Sequence, residues 1–356
     1  MFQQIIIKNQ VKMNKEQLKE IKPKVKKLLG KYVDIEAEET KLMMTTTPFN
    51  IQNFDEHSSE AIINLKKIND IRFVNKFQEA VNEKLPMGGI YIGFVETQEQ
   101  RHRRLLHKFV PVMAQLYLVL DFVFKRVFPK LPFFKKLYFF VTDGRNRVMS
   151  KAEALGRLVS CGFRILEVKE IDNYLYFVGQ KEKLPSYDLN PSYGPLFAMK
   201  RVGKDGKIIN VFKFRTMYPY AEYLQEYIYE QNKLTEGGKF ADDFRITNWG
   251  KFLRRFWLDE LPMIINLFKG DLKIVGVRPL SRHYYSLYTK ELQEKRIDSK
   301  PGLLPPFYVD MPKTLEEIID SELKYLKQYE KSPVKTDFQY FWAILNNIFI
   351  RKARSN

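Results

Sequence analysis

Short apolar runs and helical stretches alternate between residues 51 and 183. Residues 61–65 read as a strand, 70–84 as an amphipathic helix, Gly88-Gly89 as a turn and 90–95 as a second strand, which together make a βαβ unit. After an interruption the pattern resumes: Ser150 opens a helix that Gly162 stops, and strands follow around 163–169 and 174–178. Residues 1–50 are Lys-rich and weakly patterned, with helical spacing broken at Pro23, and read as a peripheral basic arm. The segment 184–195, "LPSYDLNPSYGP", has the composition of a linker. Beyond it, "LFAMKRVGKDGKIINVFKFRTM" predicts two strands joined at Lys204-Asp205-Gly206-Lys207, a hairpin turn of the Asp-Gly type. The chain then becomes mostly helical. "YAEYLQEYIYEQNKL" is amphipathic and closed by Gly237-Gly238, while "DELPMIINLFKG" is a short helix with Pro262 in its first turn and Gly270 at its end. The fold class is therefore α/β: a partial, Rossmann-like first domain over 51–183 and a mixed, mostly helical second domain over 196–356.

The interruption is the most apolar stretch, "FVPVMAQLYLVLDFVFKRVFPKLPFF" at 109–134. Its longest uncharged run, 109–120, falls short of the ~20 residues of a spanning helix. Pro111, Pro129 and Pro132 break it, and basic residues flank both ends. Two readings stay open: an element lying in or dipping into one leaflet, with Lys and Arg at anionic headgroups, or a buried core helix. The "DFQYFWAILNNIFIRKARSN" terminus fits a second interfacial helix.

Charge and composition narrow the partners. Lys+Arg 60 against Asp+Glu 42 gives +18, which points to polyanions. The 14% aromatic content suits a membrane interface, and no zinc finger, RNP-like motif or continuous basic helix supports nucleic acid. A single Cys, Cys161, excludes an internal disulfide and reads as intracellular; four His without a Cys cluster make no structural zinc site. The N-terminus does not read as a secretory signal.

Candidate chemistry sits in "FWLDELPMIINLFKGDLKIVGVRPL", where two adjacent carboxylates, Asp259 and Glu260, precede an apolar helix. Asp259 could be a helix cap and no more. Four pieces change that reading by their order and spacing: "KRVGKDGK", "KFRTM", "DFRITNWGKFLRRFWLDELP" and "KGDLKIVGVRPL". Together they resemble the bacterial sugar transferase family, the monotopic polyprenol phosphate phosphoglycosyl transferases, from about Gly194 to "SKPGLLPPF".

The resemblance implies an enzyme at the cytoplasmic face of the inner membrane. It would move a sugar 1-phosphate from a nucleotide sugar, with UDP as the family's carrier, to a polyprenol phosphate such as undecaprenyl phosphate, and so begin polysaccharide or glycoconjugate synthesis. Asp259 would be the nucleophile of a covalent phosphosugar intermediate, and Glu260 would assist through Mg2+, with both carboxylates as metal ligands. Lys213, Arg215, Arg245, Arg254 and Arg278 are the substrate-binding candidates. Elementary chemistry agrees: a carboxylate can serve as nucleophile in phosphoryl transfer, and an anionic nucleophile with anionic substrates needs cations around it. Singly, each basic residue could be a solvated charge, and Asp271 after Gly270 could be a metal contact or a turn residue.

Three departures stand out. Val277 precedes "RPL" where the family carries Pro, Leu304-Pro305-Pro306 replaces Thr-Gly-Trp, and the apolar stretch ends about sixty residues before Gly194-Pro195 instead of directly before it. The first-domain order is similar to the second half of a class I methyltransferase Rossmann fold without its Gly-rich cofactor loop, which implies a degenerate scaffold that binds no S-adenosylmethionine. A basic membrane- or nucleic-acid-binding scaffold and a methyltransferase-like protein are the competing readings. Whether the chain forms a homo-oligomer is left open.

Overall fold

The computed structural model describes residues 21–55, 58–108, 111–187, 194–232, 243–312 and 314–349. The start of the arm, most of the linker, the Gly237-Gly238 stop and the basic C-terminal tail lie outside the described residues. The chain forms two compact units: Met1–Tyr193 with Tyr218–Lys233, and Gly194–Met217 with Leu234–Asn356.

The first unit is built on a five-stranded mixed sheet. Helix α1 (Pro23–Leu29) leads into β1 (Thr40–Met43) and β2 (Ala61–Asn64), then α2 (Val74–Lys84) and β3 (Ile90–Val95). Helices α3 (Gln98–Lys108), α4 (Pro111–Phe122), α5 (Pro132–Thr142) and α6 (Lys151–Ser160) follow, then β4 (Phe163–Ile171), β5 (Tyr174–Lys181) and, after an excursion of the chain, α7 (Gln225–Asn232). The strand order is β1-β2-β3-β5-β4, with β1, β2 and β3 parallel and β5 antiparallel to both neighbours.

Local chemistry explains these boundaries. Ser150 caps α6 by accepting from the Glu153 N–H at 3.1 Å. Gly162, at φ 87°, lies where a Cβ would meet the Lys183 carbonyl at 2.1 Å. Asp172 and Asn173, both at positive φ, turn β4 into β5 as a tight hairpin, so this pair is antiparallel and not a second parallel crossover.

Residues 21–50 differ from a peripheral arm. Val25, Leu28 and Leu29 of α1 join Leu42, Ile63, Ile92 and Val178 in one buried cluster, and β1 is the sheet's edge strand. The Lys residues of "PKVKKLLG" occupy the outer face of a short helix whose inner face is core.

The apolar stretch is a broken helical pair. Helix α4 runs into a π-helical turn (Val123–Val127) and a 3-10 turn (Phe128–Lys130), and α5 starts at Pro132. Its side chains do not fill a core: Met113, Leu116, Val119, Leu120, Leu137 and Val141 are exposed, Phe133 by 84% and Phe140 by 88%. On α4 Ala114 and Asp121 turn inward, and Arg101 grips Asp121 through two bonds of 2.7 and 2.8 Å. Among the described residues no helix is long and apolar enough to cross a membrane.

In the second unit β6 (Leu196–Val202) and β7 (Ile208–Phe214) form the expected hairpin, turning at Asp205 (φ 56°) and Gly206 (φ 69°). Helix α8 (Asn248–Arg255), a 3-10 segment (Leu258–Met263) and α9 (Ile264–Phe268) then lead to β8 (Lys273–Val275). Helix α10 (Lys290–Ile297), β9 (Gly302–Leu304, parallel to β8), α11 (Leu315–Lys331) and α12 (Pro333–Phe349) complete it. Tyr325, Leu326, Tyr340 and Ile344 close a core over Val275 and Val277. Helix α12 therefore seats one face in protein, while Val334, Phe338 and Trp342 point outward.

Candidate active site

The segment carrying Asp259 is not a helix start capped by a carboxylate. Pro262 supplies no N–H, and the backbone takes 3-10 form from Leu258, entered through Trp257 in the left-handed region at φ 54°. A bulky residue held there is strained, which requires support from its surroundings. The Trp257 ring lies 5.3 Å from Tyr308. Asp259 thus sits one residue inside the segment, and no side chain caps it.

Strand β7 faces this turn. Lys213, near its end, donates to Glu260 Oε1 at 2.5 Å. Among the described residues the Asp259 carboxylate receives no side-chain hydrogen bond, only the dipole of its own backbone N–H. Burial pushes its pKa above the ordinary aspartate value. Lys213 opposes that push, Glu260 adds to it, and the Asp259 N–H and Arg254 oppose it more weakly. The outcome is one committed carboxylate and one uncommitted one, side by side.

Two polar residues fix the frame. Asn266, wholly buried on α9, accepts from the Phe212 N–H at 3.0 Å and donates to the Asn210 carbonyl at 2.7 Å and to Asp271 Oδ2 at 3.1 Å. This ties the turn after Asp259-Glu260 to β7, and it gives Asp271 a structural partner. Thr216, in "KFRTM", takes the Thr247 N–H on its carbonyl at 2.9 Å and the Arg254 Nε on its hydroxyl at 2.9 Å. Gly250 lets α8 approach, since a Cβ there would stand 2.0 Å from the Thr216 carbonyl. No single-residue pattern announces Asn266; Thr216 was visible only as part of its motif.

The five basic candidates divide. Lys213 and Arg254 act on Asp259. Arg245 is buried, and its guanidinium holds Asp243 through both carboxylate oxygens, Nε–Oδ1 at 2.9 Å and Nη2–Oδ2 at 2.8 Å. It stands behind Arg254, whose pKa burial lowers and Asp259 and Asp243 hold up. A bidentate ion pair thus already engages the guanidinium that the sequence offers as a substrate contact. Arg215 lies just past β7, donates to the Gly194 carbonyl at 3.0 Å and covers the Phe197 ring at 5.1 Å. Arg278 is exposed, lies 5.8 Å from the Phe307 ring and, among the described residues, has no carboxylate in ion-pair reach. Phe307 packs on Tyr308 at 4.5 Å and Tyr308 on Trp257, so the aromatic chain leads back to the carboxylate turn.

No group of three or more metal-type ligands exists among the described residues. Two adjacent carboxylates are still a donor set that suits Mg2+, which commonly takes one or two protein carboxylates and completes its shell with phosphate oxygens and water.

Residues 188–351 match the profile of the family described as Bacterial sugar transferase. Over 141 residues the chain is 34% identical to the Galactosyl transferase CpsE of Streptococcus agalactiae serotype III (strain NEM316), covering 38% of this chain and 31% of that protein. Over 107 residues it is 37% identical to the uncharacterized sugar transferase EpsL of Bacillus subtilis (strain 168), covering 30% and 46%. Over 280 residues it is 26% identical to the UDP-glucose:undecaprenyl-phosphate glucose-1-phosphate transferase of Escherichia coli (strain K12), covering 74% and 55%. The chain thus spans between 31% and 55% of the length of these relatives. A solved arsenic (III) S-adenosylmethionine methyltransferase from Chlamydomonas reinhardtii covers 46% of this chain and 61% of its own at 12% identity and a TM-score of 0.22, too slight a likeness to bear on the fold.

Proposed function

We propose, from the match of residues 188–351 to the bacterial sugar transferase profile, that this chain is a phosphoglycosyl transferase acting from a nucleotide sugar onto a polyprenol phosphate. The observation that carries the proposal is the asymmetry of the carboxylate pair: Glu260 held by Lys213, Asp259 partly desolvated and, among the described residues, without a side-chain donor. A carboxylate in that state is poised to attack an electrophile.

Asp259 would attack the phosphorus that bears the sugar. The new bond joins a carboxylate oxygen to phosphorus, the bond to the nucleoside monophosphate breaks, and the monophosphate leaves with the electron pair. A phosphate oxygen of the polyprenol phosphate then attacks the same phosphorus, forming the diphosphate link and returning the Asp259 carboxylate. Lys213, Arg254 and Arg278 supply positive charge for the diphosphate, Arg215 is a further contact at the end of β7, and Arg245 with Asp243 supports Arg254 from behind. Mg2+, held by Asp259 and Glu260, would neutralise phosphate charge.

The exposed apolar pair α4–α5 supports a membrane-surface location, with the element entering one leaflet from the cytoplasmic face and the exposed Lys135 and Lys136 at headgroup depth. In the first unit, ligands of open α/β sheets bind at strand carboxyl ends. Beyond β3 that place is taken by Glu96, Arg101, Asn69 and Asn146 bonded to one another, which favours a degenerate Rossmann-like scaffold over a methyltransferase.

The test is a panel of nucleotide sugars with undecaprenyl phosphate and Mg2+. Release of nucleoside monophosphate is the expected result, together with a phosphosugar adduct on Asp259 when the lipid is omitted. Release of nucleoside diphosphate would mean ordinary glycosyl transfer and overturn the proposal.

A further inference from the structure

The segment Val277–Leu280 carries the exposed Arg278, and its backbone carbonyls are held from three directions. Gly302 N–H on β9 donates to the Val277 carbonyl at 2.9 Å, and Val202 N–H on β6 donates to the Leu280 carbonyl at 2.9 Å. Pro279 follows Arg278, so the next residue offers no N–H and the local φ is fixed. The Arg278 carbonyl between these anchors is taken by a side chain: Arg296 Nη2 from α10. The other arm of the same guanidinium, Nη1, grips Glu322 on α11. Glu322 is wholly buried and Arg296 is 5% exposed. The peptide N–H of Arg278 also acts on the Glu322 carboxylate, offsetting part of the upward push of burial on its pKa.

Burying such a pair is expensive, and replacing it with apolar residues of similar volume is often neutral or stabilising. Stability alone is therefore a poor reason for two charges here. What the pair does that apolar residues could not do is hold a peptide group by hydrogen bonds. The residues lie 18 and 44 positions from Arg278 in the chain, so no local motif links them.

We infer that Arg296 and Glu322 are positioning residues for the sugar-phosphate transfer site: the buried pair clamps the Arg278 peptide and thereby aims the exposed Arg278 guanidinium at the anionic donor. The inference rests on the proposed function above. Arg296 itself touches no substrate; it acts through Arg278. A displacement of about 1 Å in such a contact can cost on the order of a hundredfold in rate.

The test is a double-mutant cycle on the full chain, reading kcat and KM for the nucleotide sugar. Arg296→Lys keeps a positive charge for Glu322 but lacks the second planar donor arm for the Arg278 carbonyl. It should lower kcat/KM about tenfold, within the range of such misplacements. Arg278→Ala should lower it more, and Arg296→Lys added to Arg278→Ala should cost nothing further, since coupled residues are non-additive. The same cycle with Glu322→Gln, which keeps shape and an acceptor oxygen, serves if Arg296→Lys does not fold. A merely structural pair would give the same fold-loss in both backgrounds, and that additivity overturns the inference. An Arg278→Ala variant with full activity overturns it as well. No turnover by the wild-type chain with any nucleotide sugar sinks the reading of the site and this role with it, whereas turnover with additive losses sinks this role alone.

Discussion

Asp121 in the first unit is buried and Asp259 in the second is half-buried, and both lie within reach of basic side chains, yet they end in opposite states. Burial pushes both carboxyls upward. For Asp121 the hydrogen bonds from Arg101 and Lys125 outweigh that push and hold its pKa below the ordinary value. For Asp259 no side chain among the described residues bonds the carboxylate, and its pKa stays above the ordinary value. Where donors saturate a carboxylate the charge fastens structure, here an exposed apolar helix pair; where they act only at a distance the charge remains available to chemistry.

The widest separation comes from Asp259→Asn. Turnover and the phosphosugar adduct should fall by about three orders of magnitude or more, as for other nucleophile removals. The denaturation midpoint should not fall, because the variant removes a desolvated charge that Glu260 repels. Near wild-type turnover in a folded variant would erase the contrast between the two aspartates.

Asp121→Ala is the reciprocal experiment. It leaves Arg101, 5% exposed in its side chain, facing Glu96 at 3.3 Å with its bidentate partner gone. Breaking a buried pair from one side costs about 3–5 kcal/mol, read by urea denaturation. A cost under about 1 kcal/mol, the range of surface pairs, would mean the α4–α5 element is not fastened by this network.

Much of this contrast was legible in the chain. The β3 strand is evident to its ends because an apolar run lies between Gly89 and a polar stretch, and Ser150 and Gly162 mark α6 by chemistry that acts within four residues. The carboxylate pair and its basic partners were visible through motif order. What escaped depends on distant partners. Strand β1, a four-residue strand that follows a Lys-rich helix, becomes a strand only by pairing with β2. Arg245 reads like the other cations until Asp243 folds onto it. Asn266, Arg296 and Glu322 look like ordinary helical residues, and only tertiary packing makes each a tie between elements. Asp259 as a helix cap failed for a local reason: Pro262 and the left-handed Trp257 set a 3-10 turn one residue earlier.

The smallest expected effect is the sharpest probe of why the two aspartates differ. Lys213 is the strongest influence opposing the burial of the Asp259 charge. Asp259 must be ionised to attack, so activity should fall on the acid side with the Asp259 titration. In Lys213→Met that opposing charge is gone, the Asp259 pKa rises further, and the acid limb of kcat/KM should move to higher pH. Stability carries the same sign. A carboxyl whose folded pKa exceeds its unfolded value lends stability below the unfolded pKa and loses it as pH rises through the folded one. The Tm of the wild-type chain should therefore drop relative to Asp259→Asn as pH rises through that window, and the gap should widen when both carry Lys213→Met. An acid limb that stays in place, or moves to lower pH, would show that Lys213 serves Glu260 alone and that Asp259 owes its state to burial without electrostatic restraint.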